Sequence, residues 1–164
     1  MKLYFYSKNK KHTSKDTDVL IIKSACDYFN APYKGTVIRD KNGKPGIEGC
    51  YVGVSHTDDE VLIALSEKNF GIDMERRTRR VQNKEKIGER FFSPREYDYI
   101  FCEKQGADER FIEIWVKKEA FVKYTGEGIS CLESTDIFSL KGSFTEFTHK
   151  DKIIFAYESV DDTK

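Results

Sequence analysis

The sequence predicts an α+β fold, in which strands are followed by helices and then by strands again. Three apolar runs follow closely on one another, CYVGVSH, VLIALS and FGIDME, and the TDDE turn between the first two predicts an antiparallel meander. Two segments with helical spacing come next, SPREYDYIFCEK and DERFIEIWVKKEAFVKYTGEG, and then DIFSL, SFTEF and KIIFAYES return to strands. This order favours α+β and is compatible with two similar halves that meet near the middle of the chain.

Local signals predict the remaining elements. LYFY near the N-terminus reads as a strand, TDVLIIKSACDYF as a helix capped by Thr17 or Asp18, and VQNKEKIGERFF as a further helix. The glycines and prolines between residues 31 and 49 predict turns and short extended pieces. Ser93 is expected to cap the next helix, with Glu96 completing a capping box.

Composition bounds the class of protein. At 164 residues with 38% hydrophobic and 13% aromatic residues, the chain should fold as one domain around a real core. Its 28 basic and 28 acidic residues cancel, which argues against a general nucleic-acid binder. Four cysteines without a C-x-x-C pair favour free thiols in a reducing cytosol over zinc or a disulfide. No secretory h-region and no run of about 18 apolar residues is found, so we expect a soluble, cytoplasmic protein without a membrane partner.

The strand NFGIDME carries the first candidate site. Alternation along a strand puts Phe70, Ile72 and Met74 on one face, and Gly71, Asp73 and Glu75 on the other. Two neighbouring carboxylates repel each other unless a proton or a cation lies between them. One reading is that they simply pair with the arginines of the following RRTRR sequence, on a solvated face. The other is that they hold a metal ion.

The long helix carries a third carboxylate. On a helical wheel Glu119 falls inside the apolar stripe with Lys118, and Lys123 lies at its edge. Glu113, Lys117 and Ala120 fall on the opposite, solvated face. A carboxylate that faces an apolar interior needs a partner, and a buried Glu–Lys ion pair is the simplest one. Together with Asp73 and Glu75, however, Glu119 would make a set of hard oxygen ligands suited to Mg²⁺ and substrate phosphates.

Five short motifs in order resemble the 4′-phosphopantetheinyl transferases, and the surfactin-synthetase-activating type most of all. The motifs are GKP (43–45), VSHT (54–57), GIDME (71–75), FFSPRE (91–96) and WVKKEAFVK (115–123). The resemblance implies a monomeric pseudodimer of two similar α/β halves, each an antiparallel sheet packed with a long helix. Residues 1–66 would form the half on the coenzyme A adenine and phosphate side. Residues 67–164 would form the half with the metal-binding strand and the catalytic helix.

The resemblance also implies roles for individual residues. Mg²⁺, or Mn²⁺ in its place, would be held by Asp73, Glu75 and Glu119. The catalytic group would be Asp73, Glu119 and Lys123, with Glu119 as the base for the attacking serine. Coenzyme A, the co-substrate, would contact the following residues: Lys44, Pro45, Ser55, His56, Lys118 and Lys123.

The function implied is transfer of the 4′-phosphopantetheine arm of coenzyme A to a serine of an acidic acyl or peptidyl carrier protein, with release of adenosine 3′,5′-bisphosphate. The RRTRR sequence would then steer the carrier. A Mg²⁺-dependent nuclease and a catalytically silent carrier-binding module are the alternatives. The region before Gly43 is short for this type, which leaves Arg39 and the basic run Lys8–Lys15 as unassigned candidates for coenzyme contacts.

Overall fold

A computed structural model describes residues 1–128 and 130–160 of the chain. The strands in this part of the chain are β1 (Lys2–Ser7), β2 (Ile38–Arg39), β3 (Pro45–Gly46), β4 (Tyr51–His56), β5 (Glu60–Ser66), β6 (Gly71–Arg76), β7 (Gly142–His149) and β8 (Lys152–Ser159). The helices are α1 (Ser14–Tyr28), α2 (Lys84–Phe91), α3 (Pro94–Phe101), α4 (Ala107–Thr125) and α5 (Ser130–Ser134), followed by a 3-10 turn at Ile137–Ser139. The predicted α+β class is confirmed.

Two three-stranded antiparallel sheets form the framework. The first has the strand order β1-β5-β4 and the second has the order β6-β8-β7. In each sheet the strand that comes last in the chain lies between the other two. Helix α1 covers the first sheet and helix α4 covers the second. The pair β2 and β3 forms a separate two-residue ribbon, in the region where turns and short extended pieces were predicted.

Both central strands are buried on two faces. Along β5, Ile63 and Leu65 pack under α1, whereas Leu62 and Ala64 pack against the second sheet. Along β8, residues 153 and 155 pack under α4, and residues 154 and 156 pack against the first sheet. This double burial explains why VLIALS and IIFAY are continuous apolar runs rather than alternating ones, since strands covered on both faces have no solvated side.

The predicted meander is confirmed only for its first hairpin. Strands β4 and β5 pair with Val54 opposite Ile63, on either side of the TDDE turn. Strand β6 instead pairs with β8, with Asp73 opposite Phe155. After β5 the chain crosses to the second sheet, in which β6 is an edge strand. Ile72 and Met74 pack between the two sheets, and the opposite face of β6 is covered by α4.

Two local predictions are wrong, and one short helix was not predicted. Helix α1 begins one turn before the predicted cap, because Thr13 and Asp16 form a capping box there. The DIFSL segment is a 3-10 turn capped by Asp136 and not a strand. The short helix α5 was not predicted. By contrast, the capping box of Ser93 and Glu96 at the start of α3 is confirmed.

Helix α4 approaches β6 closely. A Cβ atom added to Gly71 would lie 1.9 Å from the Ala120 carbonyl oxygen and 2.3 Å from the Tyr124 nitrogen, so only glycine permits this contact. Ala120 is therefore fully buried, and its predicted place on a solvated face is wrong. The helix ends at Gly126, whose positive φ of 73° provides the left-handed cap. Within the described residues, no helix is both long enough and apolar enough to cross a membrane.

Candidate functional site

Asp73 lies at the centre of the site, where β4, β6 and α4 meet. Its Oδ1 atom accepts hydrogen bonds from the Ser55 hydroxyl at 2.7 Å and from the Lys123 ammonium at 2.6 Å. Lys123 also donates to the Val54 carbonyl at 3.2 Å. The three residues Asp73, Ser55 and Lys123 come from three separate elements. The structure thus brings together the VSHT, GIDME and WVKKEAFVK motifs.

Glu119 faces the same cluster from α4. The carboxylate is half-buried, and burial raises its pKa, an effect that the nearby Asp73 charge increases and the Lys123 charge opposes. The predicted buried Glu–Lys pair does not form at Glu119. Among the described residues, neither a hydrogen bond nor an ion pair to this carboxylate is found. Glu119 is therefore a carboxylate with unused oxygens beside a second carboxylate, which is a position that attracts a cation.

Glu75, unlike Glu119, has partners for its carboxylate oxygens among the residues that the structure describes. Its carboxylate pairs with the Arg79 guanidinium and also accepts the Arg76 backbone N–H at 2.8 Å. The alternative interpretation, that the strand carboxylates pair with the following arginines, thus holds for Glu75. It does not hold for Asp73, whose charged partner is Lys123.

The donor set fits a hard divalent cation through two carboxylates rather than three. Within the described part of the chain, no group of three or more histidine, cysteine, aspartate or glutamate side chains converges closely enough to hold a metal ion. Mg²⁺, however, is commonly held by one or two carboxylates and completes its shell with water and substrate phosphates. Asp73 and Glu119 meet that requirement, and Glu75 lies next along the same strand face.

Lys118 does not join this cluster. Its ammonium and the Glu96 carboxylate form an ion pair at 2.8 Å, and both side chains are fully buried. Lys118 also donates to the Thr135 carbonyl, and Glu96 accepts backbone N–H groups from Ser93 and Ile137. The buried Glu–Lys pair expected on this helix therefore exists, but with the neighbouring lysine and a glutamate that sequence reasoning assigned to capping alone. The structure leaves the coenzyme role of Lys118 without support.

His56 lies at the rim, where β4 ends. Partial burial, followed by the charges of Lys8 and Lys123, lowers its pKa. Lys8 is held close by a 3.0 Å hydrogen bond to the Thr57 carbonyl. His56, Lys8 and Glu75 line one cleft of about 470 Å³, and His56, Lys8 and His12 line a second of about 230 Å³. The basic run near the N-terminus thus reaches the site through Lys8 and His12.

The GKP turn faces the same region from the other side. Lys44, Pro45 and Lys123 line a cleft of about 270 Å³ between this turn, β4, β6 and the end of α4. The Asn42 amide donates to the Gly126 carbonyl at 2.5 Å and ties the turn to α4. Burial lowers the pKa of Lys44. Arg39, in contrast, pairs with Asp18 at 2.5 Å.

The sequence of the second sheet and its helices decides the family. Residues 69–161, more than half of the chain, match the family described as the 4′-phosphopantetheinyl transferase superfamily. This chain belongs to that superfamily. The matched range includes Asp73, Glu75, Glu119 and Lys123, whereas Ser55 and His56 lie before it.

Individual members of the superfamily are similar over longer stretches. The chain is 31% identical over 115 residues to 4′-phosphopantetheinyl transferase gsp of Aneurinibacillus migulanus, covering 68% of this chain and 47% of that protein. It is 38% identical over 118 residues to psf-1 of Bacillus pumilus, covering 69% and 49%. It is 29% identical over 142 residues to Sfp of Bacillus subtilis strain 168, covering 84% and 61%. The chain thus spans roughly half of the length of the curated relatives it matches, between 47% and 61% in these three.

Two features of this candidate site were missed from the sequence. Glu96 is the buried partner of Lys118, whereas the sequence placed it at the end of the FFSPRE motif and explained it by the capping box. Lys8 is a rim cation beside His56, and it was left unassigned within a basic run. Both contacts join segments far apart in the chain, so spacing along one element could not reveal them.

Proposed function

We propose that this protein transfers the 4′-phosphopantetheine arm of coenzyme A to a serine of a carrier protein and releases adenosine 3′,5′-bisphosphate. The observation that carries this proposal is the meeting of Asp73, Glu119 and Lys123 between β6 and α4, beside the cleft lined by the GKP turn. Membership of the superfamily and the activity named for the relatives support it.

We also propose that the fold is a pseudodimer, with residues 1–66 and 67–164 as its halves and a monomer as the working unit. The shared strand order of the two sheets supports this, because each places its last strand in the centre and covers one face with a helix. Residue 129 and residues 161–164 of the second half lie outside the described residues. Four free thiols among the described residues fit a cytoplasmic location.

Asp73 and Glu119 would hold Mg²⁺, or Mn²⁺ in its place, and Glu75 would become a third ligand if it released Arg79. The metal would supply positive charge for the pyrophosphate of coenzyme A and for the leaving bisphosphate. The two carboxylates face one another across the β6–α4 contact, with Lys123 as the neighbouring cation. This arrangement supports binding of a single divalent ion.

Coenzyme A would lie along the clefts on either side of Lys123. Lys44 and Pro45 would contact the adenine and 3′-phosphate end in the 270 Å³ cleft. Lys123 and His56 would contact phosphate oxygens, and Lys8 would add a cation at the same rim. A lysine ammonium serves a phosphate as a point charge, which suits a flexible pyrophosphate.

The transfer is a displacement at phosphorus. The serine oxygen forms a bond to the phosphorus that carries pantetheine, and the bond from that phosphorus to the bridging oxygen breaks. The electron pair leaves on the 5′-phosphate of adenosine 3′,5′-bisphosphate, where Lys123 stabilises the charge. Glu119 takes the serine proton directly or through a water molecule.

The macromolecular partner would be an acidic acyl or peptidyl carrier protein, rather than a nucleic acid or a membrane. The RRTRR cluster offers less unpaired positive charge for steering the carrier than its four arginines indicate. Arg76 pairs with three aspartates, Arg77 with Glu146 and Arg79 with Glu75. Arginine charges that are already paired within the chain attract a partner less strongly, so steering of the carrier would rest on the residual field of this face.

A carrier-panel assay tests the proposal. Purified protein, coenzyme A and Mg²⁺ should add the mass of one phosphopantetheine arm to at least one acyl or peptidyl carrier, as read by intact-mass spectrometry. Asp73→Ala and Glu119→Ala should each lower the rate at least about 100-fold, because each removes a metal ligand, and chelation of the metal should do the same. Glu113→Gln, a change on the outer side of the same helix, is the control and should leave the rate unchanged.

The outcomes separate the alternatives. Failure to modify any carrier would contradict the transferase proposal. Failure combined with carrier binding would favour the silent binding module, and cleavage of added DNA or RNA would favour the nuclease. Full activity of Glu119→Ala would contradict the metal and base assignments alone.

A further inference from the structure

Ser55 occupies a buried position between the two sheets. It lies on β4, is 2% exposed, and reaches across to β6. Its hydroxyl donates to Asp73 Oδ1 at 2.7 Å and accepts the Met74 backbone N–H at 3.1 Å. One side chain of the first sheet thus contacts two successive residues of the strand that carries the site.

The donor capacity of Ser55 is already committed to Asp73. A serine hydroxyl has one proton to donate, and Ser55 donates it to Asp73. A phosphate oxygen of coenzyme A could only accept, so Ser55 would have to release Asp73 in order to bind it. Burial also leaves almost no surface of Ser55 for a ligand. The coenzyme contact implied for Ser55 by family resemblance is therefore poorly matched to its surroundings.

We propose that Ser55 is a positioning residue that acts through Asp73 and sets the affinity of the site for its divalent cation. In the described part of the chain, the hydrogen bonds to the Asp73 carboxylate both reach Oδ1, from Ser55 and from Lys123. They orient the carboxylate so that Oδ2 is available to a cation. Because Ser55 is anchored in turn by Met74 N–H, the carboxylate is fixed to the backbone of its own strand. This inference rests on the proposed function.

An isosteric pair of variants tests Ser55. Ser55→Thr retains the hydroxyl, whereas Ser55→Val has the same shape without it, so steric disturbance of β4 is matched. The probe is Mn²⁺ alone, titrated by electron paramagnetic resonance into the full-length protein without coenzyme A. We expect Ser55→Val to bind Mn²⁺ about 10-fold to 100-fold more weakly than Ser55→Thr, which is the usual effect of losing a hydrogen bond to a metal ligand.

A second measurement separates positioning from ligand contact. Coenzyme A affinity, measured by calorimetry with excess chelator, should be equal for the two variants. If Ser55→Val lost coenzyme affinity there as strongly as it lost Mn²⁺ affinity, Ser55 would be a coenzyme contact and the inference would be wrong. Equal Mn²⁺ affinity of the two variants would overturn it as well, while carrier modification by the wild type would leave the proposed function standing.

Two further outcomes concern the wild-type protein and the folding of the variants. A wild-type protein that binds no Mn²⁺ would overturn both this inference and the metal part of the proposed function. If neither isosteric variant folds, Ser55→Ala replaces them, with Ser24→Ala as the control. Ser24 is equally buried and hydrogen-bonded to Tyr6 and Leu20, but it lies on α1 away from the site. Only Ser55→Ala should weaken Mn²⁺ binding.

Discussion

Adjacent residues on α4 have opposite environments. Lys118 is fully buried and pairs with Glu96, and it stabilises the packing of α3 on α4. Glu119 is half-buried beside Asp73, and Lys123, one turn further on, is about one-third exposed at 33% and reaches the same carboxylate. Two lysines five positions apart in one motif therefore have separate roles, one in the core and one at the site.

We therefore expect Lys118→Met to lose mainly stability and Lys123→Met to lose mainly transfer activity. Lys118→Met leaves the buried Glu96 charge without its partner, so the free energy of unfolding should fall by about 3–5 kcal/mol. Lys123→Met should change stability much less but reduce transfer about 100-fold, since it removes a cation from the leaving group. Urea unfolding and carrier modification at a temperature where both variants are folded measure the two effects. A folded Lys118→Met protein as inactive as Lys123→Met would mean that Lys118 serves the phosphates after all.

The contact between α4 and β6 is the element-scale feature on which the site depends. Asp73 and Glu119 interact electrostatically across the contact where the helix backbone comes close to Gly71. A side chain at Gly71 would have to displace backbone atoms of Ala120 and Tyr124, which cannot move as a flexible side chain could. Helix and strand would separate along the line that carries the carboxylates.

Gly71→Ala should therefore be strongly destabilising. We expect a loss of about 3 kcal/mol in the free energy of unfolding, because overpacking against backbone forces the helix away from the strand. Gly46→Ala is the matched control, since an added Cβ there meets only the Ile38 carbonyl oxygen, at 3.9 Å. Chemical denaturation of both proteins provides the measurement. Equal stability of the two variants would show that α4 can shift without cost.

At the scale of the whole molecule, a charged network joins the two sheets below the site. Lys152 on β8 is fully buried and lies 2.8 Å from Glu60 Oε2 on β5, with Asp59 and Asp151 at 3.3 and 3.2 Å. Arg76, at the end of β6, also contacts Asp59 and Asp151. The network holds the turn that follows His56 against the end of the strand that carries Asp73. It therefore fixes the two halves of the site relative to each other.

The network should make stability depend on pH in the acid range. Burial alone would raise the pKa of Glu60, but hydrogen bonds from Lys150, Lys152 and His149 outweigh it and lower the pKa to about 2. The ordinary value for the group is 4.5. As the pH falls from about 4.5 to about 2, the unfolded chain takes up a proton at Glu60 that the folded chain does not, so folding is destabilised. Above this window the contribution is fully present.

Lys152→Met should weaken that dependence. At neutral pH it should cost about 3 kcal/mol, because Glu60 loses a buried partner, and the further loss on acidification should be smaller than in the wild type. Urea unfolding measured at neutral pH and within the acid window gives both quantities. Lys2→Met, which removes an exposed pair with Asp27, is the control and should change both quantities far less, because solvent screens that pair. An unchanged acid dependence in Lys152→Met would exclude Glu60 as its source.

Much of the fold and part of the site could be predicted from the sequence. The hairpin of β4 and β5, the capping box at Ser93, the end of α4 at a glycine and the opposite faces of β6 are local or periodic features, and each is confirmed. The pairing of β6 with β8 could not be predicted in this way, because a strand that is apolar on one face and polar on the other fits either sheet.

The sequence by itself determined which residues belong to the site's motifs and that a strand and a helix carry them. Only the tertiary structure decided that Lys123, and not Lys118, pairs with Asp73. It also decided that Glu75 pairs with Arg79 and that the Ser55 hydroxyl donates to Asp73. The physical reason is that ionic and hydrogen-bonded partners are chosen by distances of about 3 Å between segments far apart in the chain, which no periodicity encodes.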